Sequence, residues 1–336
     1  MQRTVLAALV VTLLAAPATA DCVSARSALA ASLDSAPVAT LADMARGLEA
    51  EGCSSAVAAD ARRQVSSVAA RRAGGLLETG DLAGAEAQLA DAPVLHWEVQ
   101  AARGGLAAAR KDHAEAARNL NAAIDTLGDP ALTPQDPALE PVVPRLMAMA
   151  QEQMMLAGSA RTSMRSDGTS TGVMRALSRG IAFRAKGSGD ATVAADQTAT
   201  DYAAPAETGY NIVAAAAARV ETVYLPVRFA FGQATLDPSG VTEAEALAAF
   251  LRGQGAVGRI TLIGHTDDVG PEDVNLDLSL ARAQTVRDFL RSAGVTATIL
   301  VEGRGETEPP AYAAGMTYSL DEQRAIARRV ELALGG

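Results

Sequence analysis

A polar run in the C-terminal third of the chain has residue types that could hold a charged ligand. It reads Gly-His-Thr-Asp-Asp from Gly264 to Asp268 and follows a stretch with the alternation of a β-strand. In the next predicted helix, Arg282 lies one turn before Val286, on the apolar stripe. An arginine on the packed side of a helix needs an anionic partner. We therefore expect Arg282 to meet Asp267, a ligand carboxylate, or both.

Two interpretations of Asp267 and Arg282 remain open at this point. If both face one cleft, they can hold a zwitterion, because Asp267 can take an ammonium group while Arg282 takes a carboxylate in bidentate fashion. Alternatively, the two side chains form a purely structural salt bridge. Spacing alone favours the salt bridge.

Calcium binding and hydrolysis fit the same segment less well. Residues 273–279 resemble the start of an EF-hand loop, but Leu278 stands where the turn needs glycine and Gln284 where the bidentate glutamate should be. His265 could act as a base with Asp267, yet no nucleophilic serine or thiol accompanies it. We therefore predict no metal site, no cofactor and no catalytic residue, so the chain is not expected to be an enzyme.

The elements that must position these residues alternate along the C-terminal region. Strands are predicted over 222–231, 259–265, 296–302 and 328–334, and helices over 238–252 and 279–292. Ser279 is the expected N-cap of the second helix. This pattern predicts an α/β domain over residues 221–336, with a mixed sheet and helices packed on it.

The region before it has a different character. Residues 21–158 are rich in alanine and predict an all-α domain, which we expect to be a protein-interaction module for an unidentified partner. Gly80–Leu89 resembles Lys111–Leu120 at an offset of 31 residues, as in a degenerate tetratricopeptide repeat, although a plain helical bundle explains it equally well. Residues 159–220 have the composition of a flexible linker, with a short ordered segment near 173–185.

The N-terminus predicts export. Apolar residues 4–16 follow Arg3 and end before small residues at 18–20, so we predict a signal peptide over residues 1–20. No later stretch is apolar for long enough to span a bilayer. In the oxidising compartment that export implies, the pair Cys22 and Cys53 is read more naturally as a disulfide than as a metal site or a nucleophile.

Charge and composition exclude one class of partner. The 336 residues include 29 Lys and Arg against 39 Asp and Glu, which gives a net charge of −10. No surplus of cations is left to neutralise phosphates, and 3% aromatic residues are too few for base-stacking platforms. Nucleic acid is therefore not expected as a partner.

The polar run and the helix after it resemble a known family. The signature of the OmpA-like C-terminal domain, the peptidoglycan-associated family, is matched by Gly264-His265-Thr266-Asp267, Gly270, Asn275, Leu278-Ser279 and Arg282-Ala283, with support from Val227–Phe231, Gly303–Pro309 and Arg328-Arg329-Val330. The resemblance implies a periplasmic domain that binds peptidoglycan without a covalent bond, through the free amino-acid end of diaminopimelate. It implies that the ligand-binding residues are Asp267, Arg282, Asn275, Thr266 and Arg328.

Three positions depart from the family pattern. Ala327 stands where asparagine is usual, Ala230 replaces an acidic residue, and Gly232 replaces an asparagine. We expect these changes to alter affinity or ligand preference. The resemblance places the protein in the periplasm, near the cell wall and the outer membrane. The alternative function is a helical scaffold whose OmpA-like domain is only structural.

Overall fold

A computed structural model describes residues 21–94, 96–129, 131–133, 136–139, 141–157, 222–253 and 258–334. The predicted signal peptide at 1–20 and the predicted linker at 159–220, with its segment near 173–185, lie outside the described residues. Within the described ranges, no helix is both long and apolar enough to cross a membrane.

The N-terminal part of the described chain is helical, which confirms the all-α prediction. Its helices are α1 (Cys22–Ser32), α2 (Val38–Gly47), α3 (Ser55–Glu78), α4 (Leu82–Ala90), α5 (Trp97–Ala109), α6 (His113–Leu127) and α7 (Val142–Ala157), and a 3-10 turn (Pro137–Leu139) precedes α7. Each helix of this region packs against the next one along the chain.

The two similar sequence segments begin helices in the same way. Asp81 and Asp112 are the N-caps of α4 and α6, and each carboxylate accepts a hydrogen bond from the backbone N–H three residues later. The residue before each cap has a left-handed backbone, with φ of 80° at Gly80 and 61° at Lys111. Glycine adopts this conformation without strain, whereas lysine does not. The segments are thus equivalent structurally, and the tetratricopeptide assignment stays a prediction.

A disulfide joins Cys22 and Cys53, whose Cα atoms lie 4.8 Å apart. It connects the first residue of α1 to the segment before α3. Both cysteines belong to an apolar cluster that α1 to α5 build, and the cluster includes Leu41, Val65 and Val99. The bridge therefore holds the start of the described chain against its first helices.

The C-terminal part contains a mixed sheet with helices packed on it, as predicted. Its described strands are β1 (Thr222–Leu225), β2 (Arg259–Gly264), β3 (Thr298–Gly303) and β4 (Val330–Leu334), in the order β1-β4-β2-β3. Strands β2 and β3 are parallel, and β4 is antiparallel to both β1 and β2. The helices are α8 (Pro238–Gly253), α9 (Glu272–Ser292) and α10 (Leu320–Ala327).

The strand bounds at both ends of this domain were predicted too long. Strand β1 ends at Leu225 instead of residue 231, because Pro226 has no N–H to donate to a ladder. Phe229 instead pairs with Leu236 in an isolated bridge. Strand β4 begins at Val330 and not at Arg328, so Arg328 lies in the connection from α10 to the sheet.

The start of α9 was also predicted wrongly. The helix begins at Glu272 instead of near Ser279, with Pro271 at the N-cap position, so Glu272 and Asp273 occupy its first turn. Carboxylates are favourable there because they complement the helix dipole. Ser279 is therefore inside the helix, where its hydroxyl donates to the carbonyl of Leu276 and accepts from the N–H of Gly305.

A glycine at the end of β2 sets the distance between α9 and the sheet. A Cβ placed on Gly264, the last residue of β2, would lie 2.0 Å from the carbonyl oxygen of Ser279. No other residue type fits at this contact without moving the helix. The close approach brings the buried face of α9, including Arg282, directly against the ends of the strands.

Helix α7 packs on the edge strand of the sheet and joins the two parts of the described chain. The Gln151 side-chain oxygen accepts a hydrogen bond of 2.6 Å from the backbone N–H of Tyr224 in β1. This satisfies a donor that an edge strand otherwise leaves unpaired. The apolar core is continuous across the contact, since Met147 of α7 belongs to the same buried cluster as Leu225 and Leu332.

A buried carboxylate reinforces this contact. Glu152 of α7 is 1% exposed, and it accepts hydrogen bonds from the Ala313 backbone N–H at 2.5 Å and from the Tyr318 hydroxyl at 2.6 Å. Burial raises the pKa of Glu152, and the two donors act against that shift. The Gln153 amide also donates to the Tyr318 hydroxyl, at 3.0 Å. The helical region and the sheet domain are therefore one packed unit.

We predict that reduction of the disulfide destabilises the helical region first. In the chain-entropy model, a bridge that closes a loop of this length contributes roughly 3–4 kcal/mol. Thermal unfolding of the chain from Asp21 onwards should therefore show a lower first transition in reductant. A Cys22→Ser, Cys53→Ser double variant is the control and should be insensitive to reductant, and an unchanged wild-type transition would contradict the prediction.

Glu152→Ala should loosen the contact between α7 and the sheet domain. It leaves the Ala313 N–H without its acceptor and removes one of two partners of the Tyr318 hydroxyl, and an unsatisfied buried group costs about 1–3 kcal/mol. The free energy of unfolding, measured in urea, should fall by that amount. Glu115→Ala removes an exposed carboxylate from the same region and should change it by about 0–1 kcal/mol.

Candidate functional site

Arg282 is a buried cation that has no carboxylate partner among the described residues. It is 6% exposed, as its place on the apolar stripe of α9 predicts. Its Nε donates to the carbonyl oxygen of Gln233 at 3.1 Å, and its guanidinium carbon lies 5.2 Å from the centre of the Phe229 ring. Among the described residues, no carboxylate forms a salt bridge with it. Burial lowers the pKa of Arg282, and nearby Arg328 lowers it further, while Asp267 acts in the opposite direction.

Asp267 has a different partner from the one that the sequence suggested. Its carboxylate accepts from Nη1 of Arg328 at 2.5 Å and, at 3.3 Å, from the backbone N–H of Val269. The structural salt bridge considered for Asp267 and Arg282 is therefore wrong. The actual partner follows from the sheet, because β2 and β4 are antiparallel and Gly264 pairs with Val330. The residues just after β2 thus lie beside those just before β4.

Asn275 holds the loops next to this ion pair. Asn275 is 4% exposed, and its amide donates to the carbonyl oxygens of Asp267 and Val269 at 3.3 Å each. It also donates to the Glu306 carboxylate at 2.5 Å, which connects the loops after β2 and β3. Thr266 is 4% exposed, and its hydroxyl makes no hydrogen bond with a described residue. Asn275 thus fixes the backbone that carries Asp267.

A pocket of about 70 Å³ opens beside Arg282, and we call it the arginine pocket. It is lined by Met155, Val227, Arg228, Phe229, Arg282, Ala325 and Arg328. Two of the five predicted ligand-binding residues, Arg282 and Arg328, line it. Asp267 is connected to the pocket by its ion pair with Arg328. Asn275 donates to the carbonyl of Asp267, and Thr266 precedes Asp267 in the chain, but neither lines the pocket. The pocket is therefore apolar on some walls and strongly cationic on others.

Sequence reasoning missed five of the seven lining residues, and two of these, Arg228 and Met155, contact each other. Arg228 lies in the segment after β1 and reaches the pocket because that segment leaves the sheet. The sequence signal that could have indicated Arg228 as a site residue is its position between the apolar residues Val227 and Phe229. Met155 comes from α7, far earlier in the chain, and no local pattern relates it to a site in another domain.

The structure does not support His265 as a catalytic base. The residue is 1% exposed, and its Nε2 lies 3.4 Å from the Glu331 carboxylate, but neither ring nitrogen makes a hydrogen bond with a described residue. Burial lowers the pKa of His265 to about 3, and the cations Arg329 and Arg304 add to the effect. The ring is therefore neutral at ordinary pH and closed off from a substrate.

The calcium alternative also meets an obstacle in the structure. The segment that resembled a calcium loop, residues 273–279, belongs to helix α9. Alternate positions on a helix point in different directions, so their carboxylates do not converge on one ion as they do in a loop. Within the described ranges, no group of three or more metal-ligating side chains is suitably placed to hold an ion.

Comparison with known proteins gives a family for the domain that carries the site. Residues 228–318 match the OmpA family, which confirms the resemblance seen in the sequence. Outer membrane porin F of Pseudomonas fluorescens is 34% identical over 115 residues, which cover 34% of this chain and 33% of that protein. The chain spans between a third and a half of the length of the first curated relatives that it matches.

Two solved structures are also similar to about a third of the chain. The cell wall anchor of the T6SS from Pseudomonas aeruginosa is 31% identical, with 34% of this chain and 78% of that chain covered and a TM-score of 0.27. The peptidoglycan-associated lipoprotein from Burkholderia pseudomallei is 24% identical, with 34% and 88% covered and a TM-score of 0.27.

Proposed function

We propose that the OmpA family domain of this chain binds peptidoglycan without a covalent bond, by holding the free amino-acid end of diaminopimelate in a stem peptide. The observation that carries the proposal is the buried guanidinium of Arg282, which lines a pocket and has no carboxylate partner among the described residues. A buried unpaired cation is costly, and a ligand carboxylate relieves that cost. The family match over residues 228–318 supports the choice of ligand.

Each charge of the ligand has a group of opposite charge near the arginine pocket. Arg282 takes the carboxylate, because its fork of N–H donors matches the two oxygens. Asp267 takes the ammonium. A carboxylate has about four acceptor positions, and Arg328 and the Val269 N–H occupy two of those on Asp267. An ammonium can therefore join Arg328 on Asp267 without displacing it.

The three departures from the family pattern lie outside the walls of the arginine pocket. Ala230 and Gly232 belong to the tight turn before Leu236, where the Ala230 N–H donates to Thr235 and Gly232 has a φ of 67°. That turn carries the Gln233 carbonyl that holds Arg282. These residues therefore act on the ligand through the position of Arg282, which makes a change in affinity more reasonable than a loss of binding.

The wider role we propose is that of a cell-envelope protein in the periplasm, not an enzyme, with the helical region as a module for a protein partner. One end of that region, α7, is already covered by the sheet domain. We therefore propose that the partner surface lies on the earlier helices.

The alternative is a helical scaffold whose OmpA family domain binds no ligand. The ion pair between Asp267 and Arg328 favours it, because Asp267 is already neutralised without a ligand. The two functions differ in one measurable property. A scaffold binds neither purified murein nor a stem peptide, whereas the proposed function requires both.

Arg282→Ala should abolish most of the binding to a stem tripeptide of L-alanine, γ-D-glutamate and meso-diaminopimelate. Removing one side of a buried charge pair costs about 2–5 kcal/mol, which corresponds to a loss of about 30-fold to more than 1,000-fold in affinity. Titration calorimetry measures the loss, and circular dichroism checks folding. Arg287→Ala, on the same helix but paired with Asp288 at the surface, should lose less than about 5-fold. Unchanged binding by folded Arg282→Ala would contradict the mechanism.

Asp267→Asn should have opposite effects on two related peptides. The variant lacks the charge that matches the ammonium, and it frees Arg328 from its ion pair. Affinity for the diaminopimelate peptide should fall by at least about 10-fold, as expected for loss of one charged hydrogen bond. Affinity for a peptide with 2-aminopimelate, which keeps the terminal carboxylate but lacks the ammonium, should stay equal or rise. An equal loss for both peptides would show that Asp267 does not meet the ammonium.

A further inference from the structure

Arg228 is a second cation of the arginine pocket, and its position depends on the helical region. The side chain is half-buried, and its Nη2 donates to the carbonyl oxygen of Met155 at 2.6 Å. Met155 is in the last turn of α7, where carbonyl groups have no partner inside the helix. A cation at this end of a helix is also favoured by the helix dipole. Arg228 thus caps α7 from the sheet domain.

This cap leaves most of the charge of Arg228 without compensation. A guanidinium has five N–H donors, and the Met155 carbonyl accepts from one nitrogen. No described carboxylate forms a salt bridge with Arg228. Asp237 attracts it from a distance, but the Asp237 carboxylate already accepts from the Gly240 N–H and the Ser239 hydroxyl. Burial lowers the pKa of Arg228, and Arg328 lowers it further.

Arg228 and Arg282 therefore line one small pocket as two incompletely paired cations. Two cations that share one pocket attract an anion, and a carboxylate has two oxygens that can accept from both guanidinium groups. The apolar walls formed by Val227, Phe229 and Met155 suit the carbon atoms that carry such a group. The ligand group that fits both the charge and the walls is a carboxylate on an aliphatic chain.

We propose that the arginine pocket binds one ligand carboxylate between Arg228 and Arg282, and that helix α7 of the helical region holds Arg228 in place for this contact. The proposal rests on the proposed function and extends it, since it assigns Arg228 as a further ligand-binding residue and Met155 as its positioning residue. The helical region then takes part in ligand binding, although it belongs to a different part of the chain.

The test compares two ligands with the chain from Asp21 onwards. One is the tripeptide whose diaminopimelate has a carboxylate at its free amino-acid end, and the other carries a carboxamide in place of that carboxylate. Arg228→Gln removes the charge but keeps an N–H donor for the Met155 carbonyl. In titration calorimetry we expect this variant to lose about 10-fold to 100-fold in affinity for the acid peptide, as for a charge-assisted hydrogen bond, and less than about 3-fold for the carboxamide.

Two further variants keep the result interpretable. Arg287→Gln is the matched control, an Arg-to-Gln change at a surface ion pair of the same domain, and should change neither affinity by more than about 3-fold. Arg228→Lys keeps the charge and loses the planar fork, so its loss for the acid peptide should be smaller than that of Arg228→Gln. If circular dichroism shows that Arg228→Gln is unfolded, Arg228→Lys replaces it in the test.

The outcomes separate this inference from the proposed function. An equal loss for acid and carboxamide peptides, or no loss in Arg228→Gln and Arg228→Lys, overturns the inference. The proposed function still stands in that case if the wild-type chain binds the acid peptide and Arg282→Ala does not. Absence of binding by the wild-type chain overturns both.

Discussion

Burial of the Arg282 guanidinium costs free energy that the protein itself only partly recovers. Among the described residues, Arg282 contacts the Gln233 carbonyl and the face of the Phe229 ring, and neither of these groups carries a negative charge. Helix α9 can place the residue there because Gly264 lets the helix backbone approach the strand end. The surrounding described residues leave this charge without a neutralising partner, and that is the reason we propose a ligand anion at this position.

Around this cation the charges are arranged in a chain. Arg328 forms an ion pair with Asp267. Arg324, in helix α10, forms one with Asp268, with 2.7 Å between Nε and the carboxylate oxygen. The two aspartates at the end of β2 are thus both engaged by arginines near the end of α10 or just after it. Both arginines lie in the segment between β3 and β4, and β4 pairs with β2 inside the sheet. The order of the strands therefore brings these arginines next to the aspartates that follow β2.

The local pattern of the sequence was enough to locate the main features. The apolar spacing of α9 places Arg282 on the packed face, and the alternation of strands and helices yields the mixed sheet. The element ends were less predictable. Pro226 shortens the first strand and the acidic first turn lengthens α9, which are local effects that outweigh the broader pattern.

Contacts between distant residues could not be predicted in this way. Asp267 meets Arg328 because of the antiparallel register of β2 and β4, which a sequence of predicted strands leaves open. Met155 reaches the pocket because α7 packs on the edge of the sheet, across the undescribed residues 158–221. Nothing in the sequence of either segment alone indicates its partner.

The contact between α7 and β1 also changes what the intervening segment has to do. Ala157 and Thr222, where that segment begins and ends, lie on elements that touch each other through Gln151 and Tyr224. The arginine pocket and the helix that helps to build it are therefore held together by this packed contact itself, and not by the length of chain between Ala157 and Thr222.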